Sequence, residues 1–308
     1  MEFFRNPKIN FVGAMKVAFS LSTALVILSA VLLIIHGGPR LSIDFTGGSV
    51  LQVKMDPAPE VGQIRSALSD KGYEGVQVTE FGSADEFLIT FPNHDVEAQT
   101  LDQAQLLLND LSASMPDRKI ELRREESVGP KIGDELRQSA ISAVMGALAL
   151  IVLYITLRFV FRYGIAAILA LVHDVTLTLG IFSLLNLEIS LSIIAAFLTI
   201  IGYSLNDTIV VFDRIRENMR LRRKESYRQV INRSINECLS RTVLTSVTTF
   251  MVSITLYLLG GPVIHDFAFA LTFGVVVGTY SSMFIASPTL VWWYERHIAD
   301  KKRMAMDM

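Results

Sequence analysis

The sequence predicts an α-helical integral membrane protein with six transmembrane helices and one ferredoxin-like α+β domain between helices 1 and 2. Three observations carry this prediction. Of the 308 residues, 51% are hydrophobic and 19% are charged, and the mean hydropathy is +0.43, a composition typical of membrane proteins with a sizeable polar portion. Apolar runs of helix length recur along the chain. The long polar stretch at residues 37–139 instead mixes strand-like and helix-like patterns.

The first apolar run extends from about Val17 to Ile35 and follows a short basic segment. It is long enough to cross a hydrocarbon core of about 30 Å. A secretory signal is the competing interpretation, but the run exceeds a typical signal core and His36-Gly-Gly-Pro-Arg40 offers no small-residue cleavage site. We therefore predict that residues 1–36 form a cytoplasmic N-terminus and an uncleaved first transmembrane helix.

Residues 37–139 are expected to form the α+β domain. Their elements follow the order β-α-β-β-α-β of a split βαβ, ferredoxin-like unit. The predicted elements are strand 49–54, helix 59–71, strands 75–81 and 86–91, helix 96–115 and strand 118–124. The preceding motif contains Asp44, Gly47 and Gly48; it lacks the lysine and the spacing of a phosphate loop, so it predicts a tight turn.

Five further spans are predicted at residues 140–157, 164–185, 187–212, 242–259 and 267–293. The polar segments between spans differ in charge. Residues 213–241 contain 9 Lys and Arg and 4 Asp and Glu, whereas residues 37–139 contain 10 Lys and Arg and 18 Asp and Glu. The two short loops on the opposite side from the basic segments contain no Lys or Arg. The positive-inside rule therefore places both termini in the cytoplasm and the α+β domain in the periplasm.

This topology divides the rest of the chain. Residues 140–294 hold transmembrane helices 2–6, including the cytoplasmic connection 213–241, and residues 295–308 form a cytoplasmic tail. The aromatic residues Trp292-Trp293-Tyr294 are predicted to anchor the last span at the membrane interface.

The cytoplasmic connection 213–241 is basic enough for nucleic acid or acidic lipid, but positive-inside retention accounts for the same charges. We expect membrane lipids and no nucleic acid as partners. Ser226-Tyr-Arg-Gln229 is similar to a capping box and is followed by an apolar side. That side consists of Tyr227, Ile231, Ile235 and Cys238. These features predict a helix lying along the membrane surface.

The candidate functional residues centre on the fourth span. Asn206 and Asp207 interrupt an apolar run, and an Asp near the centre of a membrane helix costs about 2.5–3.5 kcal/mol. At about 100° per residue, one side of this helix collects the polar or small residues Thr199, Gly202, Tyr203, Asn206 and Asp207. A carboxylate at this depth indicates function, while polar packing between helices is the alternative.

Three further polar features could converge on Asp207. His173 and Asp174 lie near mid-depth in the third span, and Arg241 opens the fifth span from the cytoplasmic side. One face of that fifth span carries the hydroxyl residues Thr242, Thr245, Ser246, Thr249 and Ser253. This hydroxyl face could relay protons or pack helices, and both interpretations remain open. Gly274, Gly278 and Ser282 in the last span predict helix packing.

The motifs and their order resemble the SecF branch of the SecD/SecF family of bacterial protein-export subunits, within the resistance-nodulation-division superfamily. The motifs are Asp44-Phe-Thr-Gly-Gly48, Val128-Gly-Pro130, Gly133-Asp-Glu-Leu136, His173-Asp174, residues 202–218 and Arg241-Thr. The resemblance covers nearly the whole chain. It implies a multi-pass protein of the bacterial inner membrane that takes part in protein transport and uses the proton motive force.

The resemblance also implies partners and roles. The partners are SecD, which would complete a twelve-helix bundle, the SecYEG channel, YajC, YidC and unfolded preprotein on the periplasmic side. Asp207 and Arg241 match the carboxylate and the arginine of the family's proton pathway. Asn206 lies next to Asp207 in the motif at residues 202–218. Asp174 and His173 match only a general motif of the family, so the resemblance defines their role in the proton pathway less closely. Six spans with one outer domain also fit half of a repeat-built transporter, which leaves the Asp207 side needing a second bundle.

We therefore predict a non-enzymatic export subunit without cofactor or metal. The alternative is a half-transporter of the resistance-nodulation-division type for small molecules or lipids, which would need a substrate cavity or duct. An intramembrane aspartyl protease using Asp174 and Asp207 is disfavoured, because the expected Gly-x-Gly-Asp context is absent. A structural scaffold is the remaining interpretation. The lone Cys238 excludes an internal disulfide framework.

Overall fold

The computed structural model describes residues 7–73, 75–91 and 100–306, with only the backbone described for residues 100–103 and 297–306. It divides into two compact units. One unit contains Met1–Arg40, Val144–Leu187 and Ser192–Met308, and the other contains Leu41–Ala143 with Glu188–Leu191. We refer to them as the helical unit and the α+β unit.

The elements follow one another as the sequence predicts, with some shifted ends. In chain order they are α1 (Phe11–Ile35), α2 (Ile43–Thr46), β1 (Gly48–Asp56), α3 (Val61–Ser69), β2 (Gln77–Phe81), β3 (Ser83–Phe91), α4 (Thr100–Ser114), β4 (Lys119–Val128), α5 (Pro130–Arg158), α6 (Phe161–Leu184), α7 (Leu191–Leu221), α8 (Tyr227–Leu259), α9 (Pro262–Ser281), a π-helical turn (Ser282–Ala286) and α10 (Ser287–Met306). The start of the predicted helix 96–115 lies outside the described residues.

The α+β unit contains a four-stranded antiparallel sheet in the order β2-β3-β1-β4. Together with α3 and α4 this is the ferredoxin-like topology, so the predicted fold is confirmed. Alternate residues of β1 point into the core, because successive side chains of a strand face opposite sides. The core consists of Leu51, Val53, Met55, Ile64, Leu68, Val78, Phe87, Ile89, Phe91, Ala104, Leu107 and Leu111.

A tyrosine of this unit gives it a specific pH dependence. The Tyr73 hydroxyl donates to Asp110 Oδ2 over 2.8 Å, and burial together with this hydrogen bond raises the pKa of Tyr73 to about 12. Because the folded pKa exceeds the ordinary value of about 10, the stabilising contribution is present below pH 10 and is lost as the pH rises towards 12. We expect tyrosinate absorbance to show this late titration, and Tyr73→Phe to remove it.

The predicted tight turn before β1 is present, and it packs closely on the start of α5. Gly47 and Gly48 have positive φ angles of 69° and 140°, which favour glycine. A Cβ atom added to Gly133 would lie 2.9 Å from the backbone nitrogen of Gly47. The turn and α5 therefore approach each other at a distance that only glycine allows.

This close approach predicts opposite effects for two substitutions on α5. Gly133→Ala is expected to destabilise the protein by about 1–3 kcal/mol, because backbone atoms must shift to admit the methyl group. Gly146→Ala is the matched control, since nothing lies within 4 Å of its added Cβ; there the gain in helix propensity is about 0.5–1 kcal/mol. Thermal unfolding of the full chain in detergent measures both. Equal effects at the two positions would contradict the assigned packing.

Within the described residues, six helices are long and apolar enough to cross a membrane. They are α1, α5, α6, α7, α8 and the continuous segment Pro262–Arg296 formed by α9, the π-helical turn and the start of α10. The six predicted spans are thereby confirmed in number and order, and each is extended or shifted by some residues.

The prediction of a separate helix along the membrane surface is wrong. The predicted capping box is present, with Ser226 Oγ accepting from Gln229 N, but α8 then continues without a break from Tyr227 to Leu259. No Gly or Pro falls within that range, so nothing interrupts the backbone hydrogen bonds. The apolar side is correct for Ile231, Ile235 and Cys238, which are buried, whereas Tyr227 is exposed.

Small residues set the packing of α9 on α7, as predicted. A Cβ atom added to Gly274 would lie 2.4 Å from the side chain of Ile200, and one added to Gly278 would lie 3.0 Å from Cβ of Ser204. The two helices therefore approach closely through glycine, which is a common arrangement between membrane helices. This approach brings the polar residues after Gly278 close to α6 and α7.

Candidate functional site

Among the described residues of the helical unit, two aspartates are buried. Asp174 on α6 is 1% exposed and Asp207 on α7 is 2% exposed. Burying a carboxyl group is costly unless it is hydrogen-bonded. The partners of the two side chains therefore indicate which aspartate the fold holds in place.

Asp174 has three close partners from three helices. Its Oδ2 accepts hydrogen bonds from Ser204 Oγ over 2.6 Å and from Ser281 Oγ over 2.8 Å. Its Oδ1 lies 2.9 Å from Nδ1 of His173, the preceding residue on α6. Asp174 thus joins α6, α7 and α9 at a single buried point.

The sequence alone does not identify Ser204 and Ser281 as partners of Asp174. A signal for Ser281 does exist, because Gly274, Gly278 and Ser281 recur at the i, i+4 and i+7 positions of one helix face. Ser204 lies three residues before Asp207 and so falls near it on α7. The spacing of these serines does not show which group accepts their hydrogen bonds, because that acceptor, Asp174 Oδ2, lies on a different helix.

Asp207 has a different environment. The hydroxyls of Thr245 and Ser246 on α8 each lie 3.5 Å from one of its carboxyl oxygens. Each hydroxyl has a closer acceptor, since Thr245 Oγ1 is 2.9 Å and Ser246 Oγ is 2.7 Å from the carbonyl oxygen of Thr242. A hydroxyl donates one hydrogen, and a separation of 3.5 Å is too long for a good hydrogen bond. Asp207 therefore has no short hydrogen bond within the described chain.

The hydroxyl face of α8 lies beside Asp207, as predicted. Thr242, Ser246 and Ser253 are buried, and Thr279 Oγ1 on α9 donates to Ser246 Oγ over 2.7 Å. Most of these hydroxyls bond to carbonyls of their own helix, for example Thr249 to Thr245 O over 3.0 Å. The face supplies hydroxyl groups to the site without binding Asp207 tightly.

The other members of the predicted polar side of α7 differ in exposure, and Tyr203 is half-buried. Thr199, Gly202 and Asn206 are exposed. The opposite side is buried, with Ile200 at 2%, Ile201 at 4% and Leu205 at 7% exposure. The apolar side of α7 therefore packs against other helices of this unit. We call Thr199, Gly202 and Asn206 the polar edge of α7.

Arg241 lies on the same helix as the hydroxyl face, one turn before Thr245. Its backbone carbonyl accepts from Thr245 Oγ1 over 3.1 Å. Its side chain is exposed and makes no hydrogen bond or ion pair with other described residues, although its charge interacts electrostatically with Asp207. The predicted residues Asp207, Thr245 and Arg241 therefore lie along one strip, while Asp174 and His173 form a separate cluster.

Three buried polar atoms near these groups have no hydrogen-bond partner among the described residues. They are Nε2 of His173, the hydroxyl oxygen of Tyr203 and Oγ1 of Thr242. Such atoms are uncommon in folded proteins. Their presence fits a polar site with unused hydrogen-bonding capacity.

The geometry does not form a catalytic pair of carboxylates. Asp174 bonds to His173, Ser204 and Ser281, and no hydrogen bond joins Asp174 to Asp207 in the described structure. Among the described residues, no group of three or more His, Cys, Asp or Glu side chains is arranged to hold a metal ion.

The remaining predicted residues, Asp44, Gly47 and Gly48, belong to the α+β unit. Asp44 Oδ2 accepts a hydrogen bond from the backbone N–H of Leu191 over 2.9 Å. Leu191 is the first residue of α7, whose N-terminal N–H groups lack partners in the helix. Asp44 therefore acts as a cap, a role that the sequence did not reveal.

Comparison with known proteins gives consistent matches. Residues 108–296 match the family model described as protein export membrane protein SecD/SecF, C-terminal, and residues 32–59 match that of the SecD/SecF GG motif. The chain is 48% identical over 278 residues to the protein translocase subunit SecF of Desulfurispirillum indicum, covering 88% of each chain.

A longer relative has also been solved. The chain is 42% identical over 306 residues to the protein translocase subunit SecDF of Thermus thermophilus, covering 97% of this chain and 40% of that protein. The crystal structure of SecDF from Thermus thermophilus matches with a TM-score of 0.84 at 42% identity, over 94% of this chain and 39% of that one. The chain thus spans about two-fifths of SecDF.

Proposed function

The chain belongs to the SecD/SecF family of protein-export membrane proteins, and on that premise we propose that it is the SecF-type subunit of the Sec machinery. In this role it pairs with SecD and uses the proton motive force to promote preprotein translocation across the bacterial inner membrane. The observation that carries the proposal is the buried Asp207, which has no short hydrogen bond and lies beside the polar edge of α7.

Asp207 fits the role of proton carrier. A carboxyl group held by short hydrogen bonds is stabilised in one state, whereas a weakly held one exchanges its proton as its surroundings change. Arg241 is exposed and lies one turn from Thr245, so a movement of α8 could bring its charge towards Asp207. Asn206, the exposed residue next to Asp207, is then the polar neighbour of the proton carrier in this pathway.

Asp174 and His173 have a different part in the proposal. Their short contacts with Ser204 and Ser281 connect α6, α7 and α9. The sequence groups them with the proton pathway, and in this proposal they support it by holding the helices on which Asp207 depends, while Asp207 carries the proton. A proton that crosses the full membrane potential releases about 2.3 kcal/mol per 100 mV, and that energy can drive a two-state bundle.

The SecD partner fits the polar edge of α7. Exposed polar residues on a membrane helix are costly in lipid, and a second bundle would cover them. The relative from Thermus thermophilus is named SecDF and is longer than this chain. We propose that the helices of SecD occupy this position, with the SecYEG channel, YajC and YidC as further partners that the family resemblance implies.

The proposed topology places the α+β unit in the periplasm and both termini in the cytoplasm. It rests on the concentration of Lys and Arg in residues 213–241. In the periplasm the α+β unit would engage unfolded preprotein as it emerges. In this topology, residues 1–36 form the cytoplasmic N-terminus and first transmembrane helix, and residues 37–139 form the periplasmic domain. Residues 140–294 hold transmembrane helices 2–6, and residues 295–308 form the cytoplasmic tail.

Export from inverted membrane vesicles tests the proposed function. Vesicles from cells that lack the chain are compared with vesicles in which it has been restored, using a secretory precursor and ATP. We expect the restored chain to increase translocation when a proton gradient is present and to add little when an uncoupler is present. An equal increase with and without the uncoupler would contradict proton coupling.

Site-specific crosslinking tests the SecD partner separately. In a Cys238→Ser background, Asn206→Cys at the polar edge is expected to crosslink to SecD in native membranes. Ile200→Cys is the matched control, because Ile200 lies on the same helix, is 2% exposed and packs on Gly274. Immunoblotting reads both. Crosslinking of Ile200→Cys alone would place SecD on the wrong side of α7 and contradict this arrangement.

A further inference from the structure

A groove of about 800 Å³ lies in the helical unit between the segment that precedes α1 and the first turns of α8. Lys8 and Asn10 line one side, and Arg228, Gln229 and Arg233 line the other. None of these residues belongs to the strip of Asp207 and Arg241. The groove is therefore a separate feature of the molecule.

Two asparagines build the groove. Asn232 and Asn236 stand one turn apart on α8 and hold the backbone in front of α1. Ile9 N donates to Asn236 Oδ1 over 2.9 Å, and Ile9 O accepts from Asn232 Nδ2 and Asn236 Nδ2 over 3.0 and 2.8 Å. Val12 N donates to Asn232 Oδ1 over 3.1 Å. Four hydrogen bonds thus fix one wall of the groove against the other.

The groove has an excess of positive charge. Glu237 is its acidic lining residue, and Oε2 of Glu237 already accepts from Arg214 Nε over 2.6 Å and from Asn218 Nδ2 over 2.7 Å. Lys8 makes no hydrogen bond or ion pair with other described residues. The groove therefore presents positive charge that Glu237 does not neutralise.

The arginines of the groove differ in how firmly they are held. Arg228 forms a two-point ion pair with Glu295, including Nη2 to Oε2 over 2.9 Å. Arg233 lies 3.4 Å from Glu225, which also pairs with Arg222 over 3.1 Å. Because Glu225 is shared between two arginines, Arg233 is the groove arginine that is available to an added anion, together with Lys8.

Aromatic residues place the groove at the level of lipid headgroups. Tyr227, next to Arg228, stacks on Tyr294 with ring centroids 4.1 Å apart, and the Arg162 guanidinium lies 4.5 Å from the centre of the Tyr294 ring. Trp292 is 49% exposed on the same segment. Tyrosine and tryptophan concentrate at the membrane–water interface. The anions at that depth are lipid phosphates, which basic grooves between membrane helices bind.

We propose that this groove binds the headgroup phosphate of an anionic phospholipid of the cytoplasmic leaflet. Lys8 and Arg233 supply the positive charges, and the side-chain amides of Asn10 and Gln229 supply neutral donors. The bound lipid ties the segment before α1 to α8. The choice of leaflet rests on the topology given under the proposed function, whereas the site itself does not depend on export activity.

Lipid titration of the purified full chain, read by native mass spectrometry, tests the proposal. Phosphatidylglycerol is compared with zwitterionic phosphatidylcholine. Lys8→Gln combined with Arg233→Gln is expected to weaken phosphatidylglycerol binding about tenfold or more. The reason is that each basic residue near the membrane surface adds to the free energy of binding to anionic lipid. The matched control is Arg220→Gln with Arg223→Gln, which removes the same charge from exposed positions outside the groove. Binding to the control should be unchanged.

A second variant avoids the risk that the double substitution disturbs folding. Gln229→Glu retains the capping box, because Glu serves that position as well as Gln, and it places a negative charge in the groove. We expect it to weaken phosphatidylglycerol binding with circular dichroism unchanged. Unchanged binding in a folded groove variant, or an equal loss in the control variant, overturns the proposal.

The source of the phosphate is tested by competition. Millimolar inorganic phosphate or glycerol phosphate is added to the chain with phosphatidylglycerol bound. Retention of the lipid supports a site at the membrane surface, where the acyl chains contribute to binding. Displacement by inorganic phosphate alone would identify a site for a soluble anion and overturn the lipid assignment.

Discussion

Replacing Asp207 by Asn is expected to abolish the proton-dependent part of export. Asn has nearly the same shape as Asp, so it fits the 2%-exposed position on α7, but its amide cannot take up and release a proton at physiological pH. Translocation into inverted vesicles should fall to the level that the intact protein shows with an uncoupler. Membrane insertion and crosslinking of Asn206→Cys to SecD should remain.

Two comparisons sharpen this result. Asp207→Glu retains a titratable carboxyl group and is expected to keep part of the proton-dependent activity. Asn206→Ala changes the exposed neighbour without removing the carboxyl group and should reduce activity less than Asp207→Asn. If Asp207→Asn vesicles responded to the proton gradient as fully as the unaltered protein, Asp207 would not be the proton carrier and the proposed mechanism would have to be abandoned.

The fold could be predicted because its strongest signals are local. In β1 apolar and polar residues alternate, and in α3 apolar residues recur with helical spacing, because each element buries one of its faces. Both patterns are visible in the sequence alone. The ends of α7 and α8 could not be read in the same way. Helix α7 continues past the end of its apolar segment to Leu221, and α8 begins well before its apolar segment, at Tyr227. Polar residues alone do not end a helix; a capping residue, Gly or Pro is needed.

The candidate site could be predicted only in part. Asp207 is conspicuous in the sequence because a carboxylate in an apolar run is costly. Ser204 carries no comparable signal, and the spacing of Ser281 from Gly274 and Gly278 indicates only helix packing, since serine is common wherever membrane helices pack. Their role depends on three helices meeting at Asp174, which no single segment encodes. Likewise, the capping role of Asp44 depends on Leu191, which is distant in sequence.

The contrast between the two aspartates predicts that Asp174 matters for stability much more than Asp207. Asp174→Ala leaves the hydroxyls of Ser204 and Ser281 and the ring of His173 without their shared partner. Leaving a buried hydrogen-bonding group without its partner costs about 1–3 kcal/mol for each group. We expect a marked fall in thermal midpoint and in yield for the full chain in detergent. Asp174→Asn should lose less, because its amide oxygen still accepts.

Asp207→Ala is the matched control, since Asp207 is buried to the same degree but has only partners at 3.5 Å. It is expected to unfold at nearly the temperature of the unaltered protein while losing proton-dependent export. Asp174→Asn should show the reverse, with reduced stability and export that still responds to the proton gradient in the protein that remains folded. Equal destabilisation by the two alanine substitutions would mean that the short contacts of Asp174 do not hold the helices. Because stability and export are measured on the same preparations, the two aspartates can be assigned separately to holding the bundle and to carrying the proton.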